Sequence, residues 1–187
     1  MPEERRQKNM EISIRKFGKE DIENKVKWIN NPQNNTYLHY DLPLVYDKTL
    51  LWFRRIQNQT DRYDAVIEAD GVPIGLIGLL QIDKRNQKSE FYIALGEEAY
   101  KGKGIAFEAS KILLAHAFCD LQLNKVYLYT ETDNRAAQKL FEKLGFQKEG
   151  LLKEDLIYNE RKVDRFFYGI TKKEFLHNSV SDSKDIG

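Results

Sequence analysis

Alternating apolar positions open the patterned part of the chain. Glu11–Phe17 reads EISIRKF, with Ile12, Ile14 and Lys16 on one face and Phe17 on the other, which predicts a strand. A short helix is expected to start at Lys19–Asp21 and to carry Val26, Trp28 and Ile29. It should stop before Pro32, because the residue ahead of a proline disfavours helical backbone. Leu42–Tyr46, with Pro43, reads as a loop, and Asp47 as the N-cap of a helix through Leu50, Leu51, Phe53, Arg54 and Ile56. Strand formers fill Tyr63–Ala69 and Val72–Ile82 on either side of Asp70-Gly71, a hairpin turn pair. Lys84–Gln87 is a polar turn, and Ser89–Leu95 predicts the next strand. Beyond a Gly/Lys loop, Ile105, Ala109, Ile112, Leu113 and His116 share one stripe at helical spacing and predict a long helix over 105–121. Lys125–Glu131 reads as a strand and Arg135–Leu144 as a helix, with Gly145 at the position after its cap. Phe146–Ile157 and Lys162–Ile170 read as two final strands turning at Asn159-Glu160.

That order contains one strand–helix–strand unit, 89–95, 105–121 and 125–131, whose two strands should run parallel. The other connections are mainly hairpins. A mixed α/β (α+β) sheet follows, in a single domain over residues 11–171. Residues 1–10 and 177–187 are polar and without periodicity, and are expected to fray.

Composition narrows the class. The 187 residues carry 30 Lys+Arg against 29 Asp+Glu, a net charge of +1, which leaves no broad basic footprint for nucleic acid. The longest apolar run, Val72–Leu80, is far short of a membrane span. The charged start MPEERRQKNM has no apolar core, so no secretory signal is read there and a cytoplasmic protein is expected. Cys119 is the only cysteine, so no intrachain disulfide can form, and no His/Cys/Asp spacing suggests a metal site. Cys119 and His116 are both expected to be packed in the core.

The loop GEEAYKGKG and the helix start behind it carry the clearest chemistry. Gly102 and Gly104 allow backbone amides to turn inward without a Cβ in the way. The first turn of the helix offers unpaired N–H groups and a positive dipole end, and Lys101 and Lys103 add charge. Together these suit a pyrophosphate. Neither a Walker sequence nor GxGxxG is present, and spacing alone leaves a solvated loop as the other reading.

Lys101–Ala106, K-G-K-G-I-A, resembles the phosphate loop [Q/R]xxGx[G/A] of the GCN5-related N-acetyltransferases (GNAT), with lysine at the first position. Asn134-Arg135-Ala136-Ala137, followed by Leu140 to Phe146 (LFEKLGF), resembles that family's N-x-x-[A/S] and KLGF landmarks at the right spacing. Lys27–Pro32 (KWINNP) is similar to the start of two branches, one acting on ribosomal-protein N-termini and one on nucleotide-linked amino sugars. Ser89–Leu95 and Leu151–Asp164 look like the spermidine-type branch as well. The resemblance implies a central, mostly antiparallel sheet with one parallel pair, flanked by helices. It implies acetyl-CoA as co-substrate, a small-molecule amine as acceptor, and a homodimer as an assembly to consider. An amino sugar or a polyamine-like amine is the leading acceptor. A protein N-terminal acetyltransferase and a non-catalytic CoA-binding module are the alternatives.

By the same resemblance, Lys101, Gly102, Lys103, Gly104, Ile105, Ala106 and Phe107 would hold the CoA phosphates, and Ile93, Ala94 and Leu95 the pantetheine arm and thioester. Asn134 would reach the CoA arm; without a ligand, its place before Arg135 is that of an N-cap. An alkylamine, with a pKa near ~10.4, costs about 4.6 kcal/mol to deprotonate at pH 7, so a general base matters. Glu90, an acid on an apolar strand, is the candidate; the other reading is a carboxylate facing solvent or Arg85. Phe141 stands where many members carry a tyrosine acid, and a phenyl ring cannot donate a proton. Trp28, Asn30, His39 and Tyr40 are candidates for the acceptor pocket, with Trp28 also a natural core anchor and His39 an alternative base.

Overall fold

The computed structural model describes residues 10–182. Strand β1 (Ile12–Lys16) leads through a 3-10 turn into helix α1 (Ile22–Asn30). A four-residue helix α2 (Pro32–Asn35) follows, then α3 (Tyr46–Ile56). The strands β2 (Tyr63–Ala69), β3 (Val72–Asp83) and β4 (Lys88–Leu95) form a meander. Helix α4 (Ile105–Ala115), with a π turn over His116–Asp120, crosses to β5 (Lys125–Glu131). Helix α5 (Arg135–Lys143), the hairpin β6 (Gln147–Tyr158) and β7 (Arg161–Thr171), and helix α6 (Lys172–Asp182) complete the chain. The seven strands make one sheet in the order β1-β2-β3-β4-β5-β7-β6, and β4–β5 is its parallel pair. The mixed architecture expected from the sequence is thus the observed one.

Both predicted hairpin turns have the primed geometry that matches strand twist. Asp70 and Gly71 have φ of 49° and 78°, and Asn159 and Glu160 of 48° and 62°. Strand alternation sends apolar side chains to two cores. Ala65, Ile67, Ile77 and Leu79 meet α4 and α5 on one face, with Leu113, Phe118 and Phe141. Val66, Leu76 and Tyr92 meet α1 and α3 on the other, with Trp28, Ile29 and Phe53. Each such buried side chain contributes roughly 1.5–3 kcal/mol.

Several expectations need correction. The α3 cap is Val45, with no side-chain hydrogen bond, and Asp47 lies inside the helix. The buried side of α4 is turned relative to the predicted stripe: Ala109, Leu113 and Leu114 are buried while Ile112 is exposed. His116 therefore leaves the core; its Nδ1 lies 2.7 Å from Asp120 Oδ2, and its ring 4.7 Å from that of Tyr63. Cys119 is exposed rather than packed. Within the expected C-terminal fray, residues 177–182 continue α6, and Phe175 of that helix packs on Phe118 at 5.2 Å. Thr171 and Glu174 start it as a capping box: the Thr171 N–H donates to the Glu174 carboxylate at 2.8 Å, and the Glu174 N–H donates back to Thr171 Oγ1 at 3.3 Å. Residues 1–9 and 183–187 of the expected frayed ends lie outside the described residues.

Gly96 shows how closely the second core is set against β4. A Cβ built there runs into the Trp28 indole. Gly96→Ala should therefore cost about 1–3 kcal/mol by overpacking. Thermal unfolding should show a midpoint several degrees lower; an unchanged midpoint would contradict this packing.

Candidate active site

The parallel pair is short. β4 and β5 match at Lys88–Lys125, Ser89–Val126 and Glu90–Tyr127 only. Beyond Glu90, β4 stays with β3 up to Leu95, and β5 stays with β7 up to Glu131. The facing edges from Phe91 and Leu128 onward thus separate and leave alternate backbone groups of β4 without a ladder partner. A cavity of about 1460 Å³ runs through this opening and reaches both faces of the sheet.

On the α4/α5 face, Ile93 and Leu95 line the cavity together with Lys101, Gly102, Gly104, Ile105, Ala106 and Phe107, and Ala94 between them lines it too. Gly102 and Gly104 have φ of 73° and 78°, and no atom lies within 4 Å of a Cβ built on either. Gly104 is the N-cap of α4, so the helix opens on bare backbone N–H groups facing free space. Lys103 does not join the wall; its Nζ lies 5.7 Å from the Tyr100 ring. Lys139 and Lys143 of α5 line the cavity instead, and no periodicity argument had singled them out. Lys101 is tied down by Glu98 Oε2 at 2.7 Å and Asn34 Oδ1 at 2.8 Å.

Asn34 belongs to α2, an element the sequence reading passed over. Its amide also donates to Gly96 O at 2.8 Å and Trp28 O at 3.2 Å, so one side chain joins α1, β4 and the glycine loop. The signal was present: Asn31 caps and Pro32 takes the first helical position. Asn134 caps α5 by accepting from the Ala137 N–H at 3.1 Å, and it also lines the cavity. Phe141 is buried and edge-packed on Phe91 at 6.0 Å, with part of its ring on the cavity wall. Thr130, on the same sheet face as Leu128, lines the cavity too. Its Oγ1 is buried and unpartnered.

The opposite face carries the titratable groups. Glu90 is half-buried on the wall, and burial raises its carboxyl above the usual range. Arg165, set 4.5 Å over the Tyr129 ring and bonded through Nε to Asp155 Oδ2 at 2.7 Å, pulls it partly back. Gln81, in a bulge with φ of 51°, donates to Glu90 Oε2 at 3.2 Å. Arg165 and Gln81, rather than Arg85, are the neighbours of Glu90, and hairpin register alone brings them there. His39 also lines the cavity, with Nε2 2.8 Å from Glu131 Oε1; the other Glu131 oxygen accepts from Arg161 at 3.2 Å. Tyr40 is on the wall as expected. Trp28 and Asn30 are not. Trp28 is 2% exposed and donates to Glu97 Oε1 at 2.8 Å. Asn30 is spent on holding the following loop, donating to Leu44 O at 2.8 Å and accepting from its N–H at 2.7 Å.

Comparison with known proteins fits this geometry. Residues 11–147 match the family model described as acetyltransferase (GNAT) domain. The spermidine N(1)-acetyltransferase of Escherichia coli (strain K12) is 30% identical over 153 residues, 79% of this chain and 79% of the relative. The crystal structure of spermidine N-acetyltransferase from Vibrio cholerae in complex with CoA and spermine superposes with a TM-score of 0.83 at 25% identity, covering 88% of this chain and 98% of that one. A dodecameric structure of the Vibrio cholerae enzyme aligns with a TM-score of 0.78 at 25% identity, covering 90% of this chain and 98% of that one.

The raised carboxyl of Glu90 has a consequence for stability. Its folded pKa lies above its unfolded value, near ~4.3, so the folded state holds the proton more tightly. Stability from this group is therefore lost as pH rises through the folded pKa, and the ionised carboxylate weakens the fold at neutral pH. Glu90→Gln should unfold at the same temperature as the parent or a few degrees higher at pH 7. That gain should disappear below pH ~4. A lower midpoint at pH 7 would contradict the burial argument.

Proposed function

The chain belongs to the GNAT acetyltransferases and is an acetyl-CoA-dependent N-acetyltransferase; from that premise we propose that Glu90 is its general base and that the β4–β5 opening joins its two substrates. The observation that carries this reading is one cavity with a bare glycine-and-helix cradle on one sheet face and a half-buried carboxylate on the other.

The residues present suit acetyl-CoA. The open space over Gly102 and Gly104, the N-terminus of α4 and the ammonium groups of Lys139 and Lys143 would hold its phosphates. The unpaired edge of Ile93–Leu95 would take the pantetheine arm as an added strand. Asn134 and the orphaned Thr130 hydroxyl would supply further hydrogen bonds along it. When bound, acetyl-CoA supplies an activated acetyl group. Phe141 keeps its surroundings dry and has no proton to give, so the thiolate, from a thiol of pKa about 8.5, leaves without help from that position.

On the other face Glu90 takes the proton of a primary amine, directly or through a water. Its raised pKa brings it nearer to neutral pH, where a base removes a proton with better driving force. The spermidine relatives support a primary amine on a small molecule as acceptor. Tyr40 and His39 line the path to it; His39, bonded to Glu131, serves as a wall group rather than a second base. Action in the cytoplasm belongs to the same proposal, supported by the need for acetyl-CoA and by the lack, among the described residues, of a helix long and apolar enough to cross a membrane.

Acetyl-CoA at ~100 times its Kd should add about 2.7 kcal/mol and raise Tm by several degrees, with ADP as control. Gly104→Ala places a side chain at φ of 78°, a strain of about 1–2 kcal/mol that a domain of this size withstands since the Cβ meets no other atom, and it should weaken acetyl-CoA binding about tenfold or more, because the added methyl occupies the cradle. Equal affinity in that variant would overturn the cradle.

Glu90→Gln should lower kcat by roughly 10²–10⁴ with Kd for acetyl-CoA unchanged. Full activity at saturating amine near pH 7 would remove Glu90 from the chemistry.

A further inference from the structure

The acceptor face of the cavity holds an ammonium group that no anion meets among the described residues. Lys25, on α1, is 6% exposed and lines the cavity. Its Nζ donates to the phenol oxygen of Tyr40 at 3.4 Å and lies 4.5 Å from the centre of the Trp52 ring. Among the described residues no carboxylate pairs with it. The nearby buried acid, Asp64, is already satisfied: Arg62 holds both its oxygens at 2.6 and 2.9 Å, and the Tyr92 hydroxyl donates to it at 2.8 Å. Asp41 lines the cavity but is exposed. Arg62 itself lies 5.4 Å from the Trp52 ring, so a second cation faces the same indole. Lys48 and Arg55 of α3 add exposed positive charge to this wall.

Removing an ammonium from water is costly unless an anion replaces the lost hydration, and an indole face replaces only part of it. Lys25 therefore stands as half of an ion pair whose other half is missing among the described residues and whose free side opens on the cavity. We infer that the acceptor brings that anion: the amine to be acetylated is carried on a molecule that also bears a phosphate or carboxylate, seated against the side of Lys25 that faces the cavity, while the Trp52 ring holds the ammonium from behind. This rests on the acetyl-transfer reading above and adds the charge class of the acceptor. A polycation such as spermidine would set a second ammonium against Lys25, so on this inference an anionic amine outcompetes the spermidine for which the relatives are named.

The test compares matched amines: ethanolamine, O-phosphoethanolamine, β-alanine and spermidine, with aminoalkyl phosphates of increasing length to span the cavity. Acetyl transfer is read as thiol release, and binding by titration calorimetry on the CoA-saturated protein. The best anionic amine should exceed its uncharged partner by at least about tenfold in kcat/KM and in affinity, and Lys25→Met should remove that advantage. The phosphate and carboxylate arms show which anion is meant. Equal values for charged and uncharged amines, spermidine as the best acceptor, or an anion preference that survives Lys25→Met would each overturn the inference. The comparison on the unmodified protein needs no variant to fold. If no amine is acetylated, the acetyl-transfer reading fails, and the calorimetric preference alone decides the anion site.

Discussion

Everything in the site depends on two neighbouring strands that stop pairing. β4 and β5 share three register positions and then separate, although each continues as a strand on its outer side. A parallel ladder is slightly weaker per residue than an antiparallel one, and both strands keep full antiparallel ladders with β3 and β7. The bulge between Leu80 and Asp83 adds local twist beside the point of separation. The lost ladder bonds leave a row of backbone groups facing the cavity, so the edge offered there is a break in the protein's own sheet.

That break also sorts the chemistry by face. Alternation along β4 sends Phe91, Ile93 and Leu95 towards α4 and α5, and Glu90 and Tyr92 towards α1 and α3. The first face offers glycine backbone, a helix N-terminus and lysines, a setting for phosphates. The second offers a half-buried carboxylate and aromatic walls, a setting for an amine. In the proposed reaction the acyl group passes between the strands, and holding two reactants in line through one gap can supply much of the barrier reduction.

Local signals and long-range ones fared differently. The turns at Asp70-Gly71 and Asn159-Glu160, the cap at Asn134 and the glycine after α5 could be read from a few adjacent residues, because each satisfies backbone demands within its own turn. The left-handed glycines of the loop ahead of α4 were legible for the same reason. Trp28 and Asn30 were misplaced in the acceptor pocket because their partners, Glu97 and Leu44, lie 69 and 14 residues away. Cys119 and His116 were misplaced because α4 ends in a π turn, which rotates the buried face away from the 3.6-residue stripe. Lys25, Thr130 and Arg165 gave no local sign at all.

What the sequence determined by itself is therefore the order of the seven strands and the longer helices between them, the hairpins, the glycine loop ahead of α4 and the identity of Glu90 as the acid on an apolar strand. These follow from backbone propensity, turn chemistry and the two-residue period of a strand, all of which act over short spans. The tertiary structure alone decided which cation stands beside Glu90, which hydroxyl is left unpaired next to the gap, and that Lys25 is set among aromatics at the cavity wall with no counter-ion among the described residues. Those outcomes depend on register between strands and on packing of helices across the sheet, and the energy of a charge depends on how much water the surrounding fold removes from it.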